Sequence, residues 1–280
     1  MDKELIHHFI IETLKEDVGD GDHTSLSTIP ADSNGKAKLL VKDEGILAGV
    51  ELALEIFKIA DADLKVNVFL NDGAVIKPRD VAFEVEGNSQ SILKAERLVL
   101  NCMQRMSGIA TKTRQIVDLL KDTNTKVLDT RKTTPGMRYL EKWAVRIGGG
   151  VNHRFGLYDM ILIKDNHVDY AGGIKQAIER ANQYVIDNNK KLAIEIEVRN
   201  LDELDQVLQT GHVNRILLDN FNFADMKRAV DIIQGRFITE ASGGITIDNI
   251  RGYAECGVDY ISVGALTHSV KSLDLSLKAI

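Results

Sequence analysis

Basic side chains are concentrated between residues 129 and 167, around short apolar segments. This segment contains seven Lys or Arg and four Asp or Glu, a net charge of +3, whereas the whole chain carries −6 and the remainder therefore −9. Arg offers a planar fork that matches carboxylate or phosphate oxygens in pairs, and Lys offers a compact charge. Because burying such cations without an anion costs several kcal/mol each, Arg131, Lys132, Arg154 and Lys164 predict a pocket for a small polyanionic ligand.

The overall charge and hydropathy exclude several classes of protein. An acidic chain with local basicity argues against nucleic acid or an anionic membrane as partner, and no apolar run reaches the roughly 18 residues of a membrane span. The N-terminal sequence MDKELIHHFI mixes charged and apolar residues, so we expect no signal peptide. Cys102 and Cys256 lack metal-type spacing, which favours buried free thiols in a reducing cytoplasm.

The first 120 residues give mixed signals. Apolar spacing predicts an amphipathic helix over 4–16 and a long helical region over 91–121, with Gly108 as a candidate break. Between them, AKLLVKD, LKVNVFLNDG and VAFEVEG are typical of strands, and VELALEIFKIA is typical of a helix. This half of the chain is therefore expected to be a mixed α/β domain.

The second half has a regular rhythm of six short apolar runs, of which the later ones are separated by amphipathic helices. Continuous apolar strands alternating with helices indicate parallel strands covered by helices. The last four runs recur about every 22 residues, which favours closure into a barrel over an open sheet, although six strands fall short of a regular eight. The runs are KVLDT (126–130), YDMILIKDN (158–166), LAIEIEV (192–198), RILLDN (215–220), FITEASGG (237–244) and YISVGAL (260–266).

Each run ends in polar residues, which a parallel barrel would bring to one face. Glu197 and Asp219 end successive strands and could serve a phosphorylated substrate with Mg²⁺, but Glu195 shares a face with Glu197 and the sequence does not separate the two. SGG at 242–244 and VGA at 263–265 are glycine clusters of the kind that bind phosphate through backbone N–H groups. By contrast, the four-residue spacing of Arg138, Lys142 and Arg146 predicts a solvated helix face.

The ordered set of motifs resembles the quinolinate phosphoribosyltransferase family over nearly the whole chain. The resemblance implies an N-terminal mixed α/β sandwich followed by an incomplete α/β barrel, with boundaries at 1–110 (268–280 being a candidate addition) and 111–267. It also implies transfer of the phosphoribosyl group of phosphoribosyl pyrophosphate (PRPP) to quinolinate with decarboxylation, in NAD biosynthesis. The motifs are EDVGDGDHTS (16–25), ERLVLNCMQRMSGIAT (96–111), DTRKTTPGMRYLEKWAVRIGGGVNHRFGLYDMILIKDNH (129–167), EIEV (195–198), LLDN (217–220), EASGGI (240–245) and SVGALTHS (262–269).

The resemblance also assigns roles to individual residues and implies a homodimer, or an assembly of such dimers into a hexamer. Mg²⁺ is the implied cofactor, held with PRPP by Glu197 and Asp219, and Lys132 would stand between the two substrates. Arg97 would reach the site from the neighbouring subunit. The quinolinate carboxylates would be held by Arg97, Arg131, His153, Arg154 and Lys164. The ribose and phosphates of PRPP would be held by Lys132, Glu197, Asp219, Ser242, Gly243, Gly244, Gly264, Ala265 and His268.

Three other functions stay open at this point. A paralogue with the same fold, associated with molybdate transport, would share the loops but not the full set of cations. A barrel aldolase would use Lys132 or Lys164 as a Schiff base, and a sensor would bind the same anions without turnover. Leu98 departs from the Thr expected after Glu-Arg, and the absence of an Asp-Asp pair agrees with the family, which does not use that element.

Overall fold

Two groups of elements pack as separate units in the structure, a computed structural model that describes residues 3–280. The first unit takes the chain through Arg114, together with Thr134–Gly149 and Ser269–Ile280. The second comprises Gln115–Thr133 and Gly150–His268. Residues 134–149, which the sequence analysis places in the barrel domain, thus group with the N-terminal elements, and the last twelve residues do as well.

Helices and strands are interspersed along the described residues. The helices are α1 (Lys3–Val18), α2 (His23–Thr28), α3 (Val50–Ala60), α4 (Ser89–Leu119), α5 (Arg138–Ile147), α6 (Asp165–Ala171), α7 (Ile174–Asp187), α8 (Leu201–Thr210), α9 (Phe223–Ile233), α10 (Ile250–Glu255) and α11 (Ala265–His268). The strands are β1 (Asn34–Val41), β2 (Gly45–Ile46), β3 (Lys65–Val68), β4 (Val75–Ile76), β5 (Val81–Asn88), β6 (Lys126–Leu128), β7 (Ile161–Ile163), β8 (Ile194–Val198), β9 (Arg215–Asp219), β10 (Ile238–Ser242), β11 (Tyr260–Ser262) and β12 (Leu275–Ala279).

An antiparallel sheet in the order β12-β1-β5-β3 forms the core of the first unit. Along β1, buried side chains alternate with more exposed ones, which is the pattern of a strand with one face on a core. Phe57 of α3 meets Phe83 of β5 edge to face, with ring centroids 5.8 Å apart. Such a pair adds about 0.5–1.5 kcal/mol to the burial of the two rings, and it attaches the helix to the sheet.

The face of α5 that was expected to be solvated is partly buried. Lys142 is only 3% exposed, so the prediction for Arg138, Lys142 and Arg146 is wrong at its centre. The neighbouring Glu141 is fully buried and accepts hydrogen bonds from Arg105 of α4 and from Thr134. Regular spacing of cations shows that they share a helix face, but whether that face meets solvent depends on packing partners distant in sequence.

A six-stranded parallel sheet in the order β6-β11-β10-β9-β8-β7 forms the second unit. Its two end strands do not pair with each other, so within residues 3–280 the barrel is incomplete. All five residues of β8 are buried, as expected for a parallel strand covered on both faces. The six predicted strands and the predicted fold class are confirmed.

Two further expectations concern the cysteines and the membrane. Cys102 and Cys256 are both buried and free, as the sequence indicated. In the described part of the chain, no helix combines the length and the apolar character needed to cross a bilayer.

Helix α4 continues through Gly108, so the expected break there is wrong. A Cβ atom built on Gly108 would lie only 2.3 Å from the carbonyl oxygen of Lys271 and 3.1 Å from Val270 Cγ1. The glycine is therefore needed for the close approach of the C-terminal segment to the helix, and not for a turn.

We expect Gly108→Ala to destabilise the protein by about 1–3 kcal/mol, the usual cost of overpacking, despite the better helix propensity of alanine. The measurement is the free energy of unfolding from a denaturant titration. Asn101→Ala, at an exposed position of the same helix, is the control and should be neutral or slightly stabilising. An unchanged or raised stability of Gly108→Ala would show that the C-terminal segment can move away at no cost.

Candidate active site

The carboxyl ends of β8, β9 and β10 place three predicted site residues on one face of the sheet. The register pairs Glu197 with Leu217 and Asp219 with Ser242. Because residues paired in parallel strands point the same way and every second residue shares a face, Glu197, Asp219 and Ser242 all face the same side. They form part of one mouth at the end of the sheet.

Glu195 and Glu197 occupy different depths on that face. Glu197 Oε2 lies 3.0 Å from Nζ of Lys164, the residue that follows β7, and the lysine side chain is 49% exposed. Glu195 is fully buried and faces His153 instead. The two glutamates, which the sequence did not separate, are thus distinguished by the structure, with Glu197 at the mouth and Glu195 beneath it.

Two guanidinium groups lie near each other at the mouth. Burial first, and the nearby charge of Arg131 second, lower the pKa of Arg154. The Arg154 side chain also donates from Nη1 to the carbonyl oxygen of Met160 at 3.1 Å. Arg131 is exposed and Arg154 is partly buried. An anion that binds between two guanidinium groups is stabilised by both, so this pair indicates an anion site.

The segment that carries Arg154 is attached to β6. Val151 forms a bridge with Leu128 at the edge of that strand. Asp129, which is fully buried, accepts the backbone N–H of His153 at 2.8 Å and the side-chain amide of Asn152 at 2.6 Å. The carboxylate therefore fixes residues 151–154 beside the carboxyl end of β6.

Beneath this segment, the barrel interior contains a cluster of charged side chains. His153 Nε2 lies 3.1 Å from Glu195 Oε2 and 3.4 Å from Glu240 Oε2. Arg215 Nη1 donates to the same Glu240 oxygen at 2.8 Å, and its guanidinium lies 4.6 Å from the ring centroid of Tyr260. We call these four side chains, His153, Glu195, Arg215 and Glu240, the interior cluster.

Protonation in the interior cluster reflects competing effects. Burial disfavours the imidazolium, but hydrogen bonds with Glu195 and Glu240 outweigh it and raise the pKa of His153 to about 9. The backbone N–H of Arg154 acts in the opposite direction, because it donates to His153 Nδ1 at 2.7 Å and a protonated Nδ1 could not accept it. With Nδ1 as the acceptor, the proton of the neutral ring lies on Nε2.

The two glutamates differ in the direction of their pKa shifts. Burial raises the pKa of Glu195. For Glu240 burial acts in the same direction but is outweighed, chiefly by the hydrogen bond from His153, so that its pKa is lowered. Glu240 has the ion pair with Arg215, and Glu195 is the carboxyl for which burial dominates.

Lys132 lies at the other side of the mouth, beside β11. A Cβ atom built on Gly264 would be 3.1 Å from Lys132 Cδ and 3.2 Å from His268 Cδ2, so these three predicted residues are neighbours. The carbonyl oxygen of Lys132 accepts a hydrogen bond from the hydroxyl of the fully buried Thr267 at 2.8 Å. Ala265 begins α11 directly after Gly264.

The turn after β10 has a backbone that only glycine adopts without strain. Gly243 has φ +91°, and a Cβ atom there would lie 2.3 Å from Asn220 Oδ1 and 2.8 Å from the backbone nitrogen of Asn220. Gly244 has φ +59° but faces open space. The turn from Ser242 to Gly244 thus packs its backbone against Asn220, which donates its N–H to the carbonyl of Ser242 at 2.8 Å.

Comparison with known proteins gives one consistent result. Residues 22–107 match the N-terminal domain of quinolinate phosphoribosyl transferase, and residues 109–278 match its C-terminal domain. The chain belongs to the quinolinate phosphoribosyltransferase family. A mitochondrial quinolinate phosphoribosyltransferase [decarboxylating] of Nicotiana glauca is 45% identical over 95% of this chain and 79% of its own length. A probable nicotinate-nucleotide pyrophosphorylase [carboxylating] of Bacillus subtilis is 42% identical over 98% of this chain and 92% of its own.

Solved structures of the family agree. The nicotinate-nucleotide pyrophosphorylase of Francisella tularensis superposes with a TM-score of 0.92 at 40% identity, covering 100% of this chain and 98% of that one. The protein from Ehrlichia chaffeensis gives a TM-score of 0.90 at 37% identity, covering 100% and 99%. The family fold predicted from the motifs is therefore confirmed.

Most of the residues to which the family resemblance assigns a role lie at one sheet in the structure. Those of the second unit lie at the carboxyl ends of its strands or in the segments that follow them, except that His153 points into the interior with its side chain only 7% exposed. Arg97 lies on α4 in the first unit and is exposed. Sequence reasoning missed the packing roles of Asp129, Arg215 and Glu240. Charged residues inside otherwise apolar strands were the available signal.

Gly243→Ala and Gly244→Ala form a matched pair. Both force alanine into positive φ, which costs about 1–2 kcal/mol, but only the first also collides with Asn220. We expect Gly243→Ala to lose about 1–3 kcal/mol more stability than Gly244→Ala, measured by denaturant unfolding. Equal losses would show that the contact with Asn220 does not constrain the turn.

Proposed function

We propose that the protein transfers the phosphoribosyl group of PRPP to quinolinate with decarboxylation, giving nicotinate mononucleotide, pyrophosphate and CO₂ in de novo NAD biosynthesis. The observation that carries the proposal is the pair of neighbouring guanidinium groups of Arg131 and Arg154 at the mouth of the sheet. A dicarboxylate would bring a carboxylate to each guanidinium group, and the family relationship identifies which dicarboxylate.

In this proposal Arg131, Arg154 and Lys164 hold the two carboxylates of quinolinate, with His153 directly beneath. Arg131 and Arg154 are suited to forked contacts with carboxylate oxygens. Lys164 is paired with Glu197, and on binding it would exchange that partner for quinolinate. The exchange would free Glu197 to approach the ribose.

PRPP would occupy the other side of the mouth. The turn Ser242–Gly244 and the segment from Gly264 to Ala265 would bind the 5-phosphate through backbone N–H groups, with His268 nearby. Asp219 and Glu197 would face the ribose hydroxyls. Lys132, which lies over Gly264, would stand near the pyrophosphate and help neutralise it as it leaves.

The chemistry needs positioned charges more than proton transfer. The lone pair of the quinolinate nitrogen forms a bond to the anomeric carbon while the bond from that carbon to pyrophosphate breaks. Glu197 and Asp219 stabilise the cation-like sugar between the two events. The carboxyl next to the ring nitrogen is then lost as CO₂, its bonding electrons are drawn toward the positive ring, and a proton replaces it on carbon.

Mg²⁺ is proposed as the cofactor that accompanies PRPP. Two carboxylates on one face of the sheet, those of Glu197 and Asp219, are oxygen donors of the kind that Mg²⁺ prefers, and it usually takes one or two together with substrate phosphates. Such an ion would supply positive charge next to the pyrophosphate. The residues present fit this role.

We further propose a homodimer in which Arg97 contributes to the partner's site, and a cytoplasmic location. The exposed position of Arg97 on α4 leaves it accessible to another subunit. Two buried, unpaired cysteines are consistent with a reducing compartment. Assemblies larger than a dimer, such as hexamers, would leave this shared site unchanged.

The reaction is tested by release of CO₂ from carboxyl-labelled quinolinate, with PRPP and Mg²⁺ each present or omitted. We expect release only when quinolinate, PRPP and Mg²⁺ are all present. If quinolinate binds but no CO₂ is released with the complete mixture, the protein is a binding protein or a paralogue with another substrate. Trapping of a lysine adduct by borohydride would instead identify an aldolase.

Sharing of the site between subunits is tested by mixing two inactive variants. Arg97→Ala and Lys132→Ala proteins, dissociated and reassociated together, should form heterodimers with one intact site. At random mixing the recovery is about a quarter of wild-type activity.

The matched control mixes the Lys132→Ala protein with the Lys164→Ala protein. Both residues belong to the second unit and would serve the site of their own subunit. Each site of such a heterodimer carries one lesion, so no recovery is expected. Equal behaviour of the two mixtures would exclude a contribution of Arg97 in trans.

A further inference from the structure

Burial of the charged interior cluster costs free energy of folding. The anion-binding side chains above the cluster do not by themselves account for its presence. Glu195 and Glu240 are both fully buried, and three of their four oxygens lack a well-directed hydrogen bond in the described structure. Buried carboxylates cost several kcal/mol each, and replacing a buried ionic group by apolar side chains is often neutral or stabilising. A cluster of this kind is therefore poorly explained by stability alone.

The contacts of His153 connect this cluster to the mouth. From below, Nε2 faces Glu195 and Glu240 at 3.1 and 3.4 Å. From above, Nδ1 accepts the backbone N–H of Arg154 at 2.7 Å. The ring thus has a hydrogen bond at Nδ1 and close polar contacts at Nε2, and it can transmit the position of two barrel strands, β8 and β10, to the residue that carries the guanidinium group.

We infer that Glu195 and Glu240 are positioning residues for quinolinate, which act through His153 to hold the backbone of Arg154 where its guanidinium meets the substrate carboxylate. This inference rests on the proposed function. Asp129 fixes the same segment from the β6 side through the N–H of His153. Residues 153–154 are thereby held from two directions.

A metal site is the competing explanation, since ligand atoms of His153, Glu195 and Glu240 all lie within 4.8 Å of one another. The cation of Arg215 already donates to Glu240 Oε2 at 2.8 Å. A divalent ion on that oxygen would have to lie next to a guanidinium group. The interior cluster has its positive charge from protein side chains, which favours positioning.

The test compares two substitutions of Glu195 that differ in one property. Glu195→Gln keeps an oxygen that can accept the Nε2 proton of His153, whereas Glu195→Leu keeps the volume and removes the acceptor. A purely structural role predicts that leucine is tolerated at least as well as glutamine, because it removes a buried polar group. A positioning role predicts the reverse order.

We expect Glu195→Leu to raise the KM for quinolinate about tenfold or more, as a displaced binding group does, with the KM for PRPP unchanged. Glu195→Gln should stay close to wild type in both constants, and direct calorimetric binding of quinolinate should follow the same order. Glu255→Gln, at an exposed ion pair with Arg251 on α10, is the control for loss of a carboxylate and should leave both constants unchanged.

The double variant Glu240→Leu/Arg215→Met keeps the test valid if Glu195→Leu does not fold, because it removes both members of an ion pair and leaves no buried charge without a partner. It too should raise only the KM for quinolinate.

An unchanged quinolinate KM in a folded leucine variant, an equal rise for both substrates, or a stoichiometric metal ion on these carboxylates in the wild-type protein would each overturn the inference. If the wild-type protein turns over quinolinate in the same assay, these outcomes contradict the inference but not the proposed function. If the wild-type protein shows no turnover, the proposed function itself is refuted.

Discussion

The attachment of residues 151–154 is the constraint on which the site depends, because this segment carries Arg154. Val151 bridges to β6, and the backbone N–H of His153 is bonded to the buried carboxylate of Asp129. The backbone N–H of Arg154 donates to the ring of His153, which lies in the barrel interior. In the proposed function, part of the affinity for a dicarboxylate would therefore be prepared during folding.

The parallel sheet explains why residues far apart in the sequence share this place. Each strand of the second unit runs in the same direction, so that the residues following β6, β7, β8, β9 and β10 meet at the same edge. In the proposed function, two anionic substrates would be bound by different means. Side chains on the β6–β7 side would provide forked contacts for carboxylates, and glycine turns after β10 and β11 would offer backbone N–H groups to phosphate.

The sequence predicted the strands and the mouth because both depend on local patterns. Apolar runs of four or five residues specify buried parallel strands, and polar residues directly after them specify the functional edge. It did not predict that α4 passes through Gly108, because the reason is the carbonyl oxygen of Lys271, more than 160 residues away. The burial of Lys142 was not predicted either, because it also depends on packing partners distant in the sequence. The depth difference between Glu195 and Glu197 needs the register of neighbouring strands, which alternation along a single strand does not contain.

The barrel interior shows how stability and function are balanced in this fold. An apolar layer at the level of Glu195 and Glu240 would avoid the cost of burying carboxylates, and most parallel barrels fill their interior in that way. Such a layer would offer His153 no acceptor, and the ring would have only Arg154 to orient it. The proposed reaction uses no general base to compensate for poor alignment, since the quinolinate nitrogen would attack as a free lone pair. Its rate would then depend on how closely the bound ring is held to the anomeric carbon, so a stability cost beneath the proposed quinolinate pocket would be offset by better alignment.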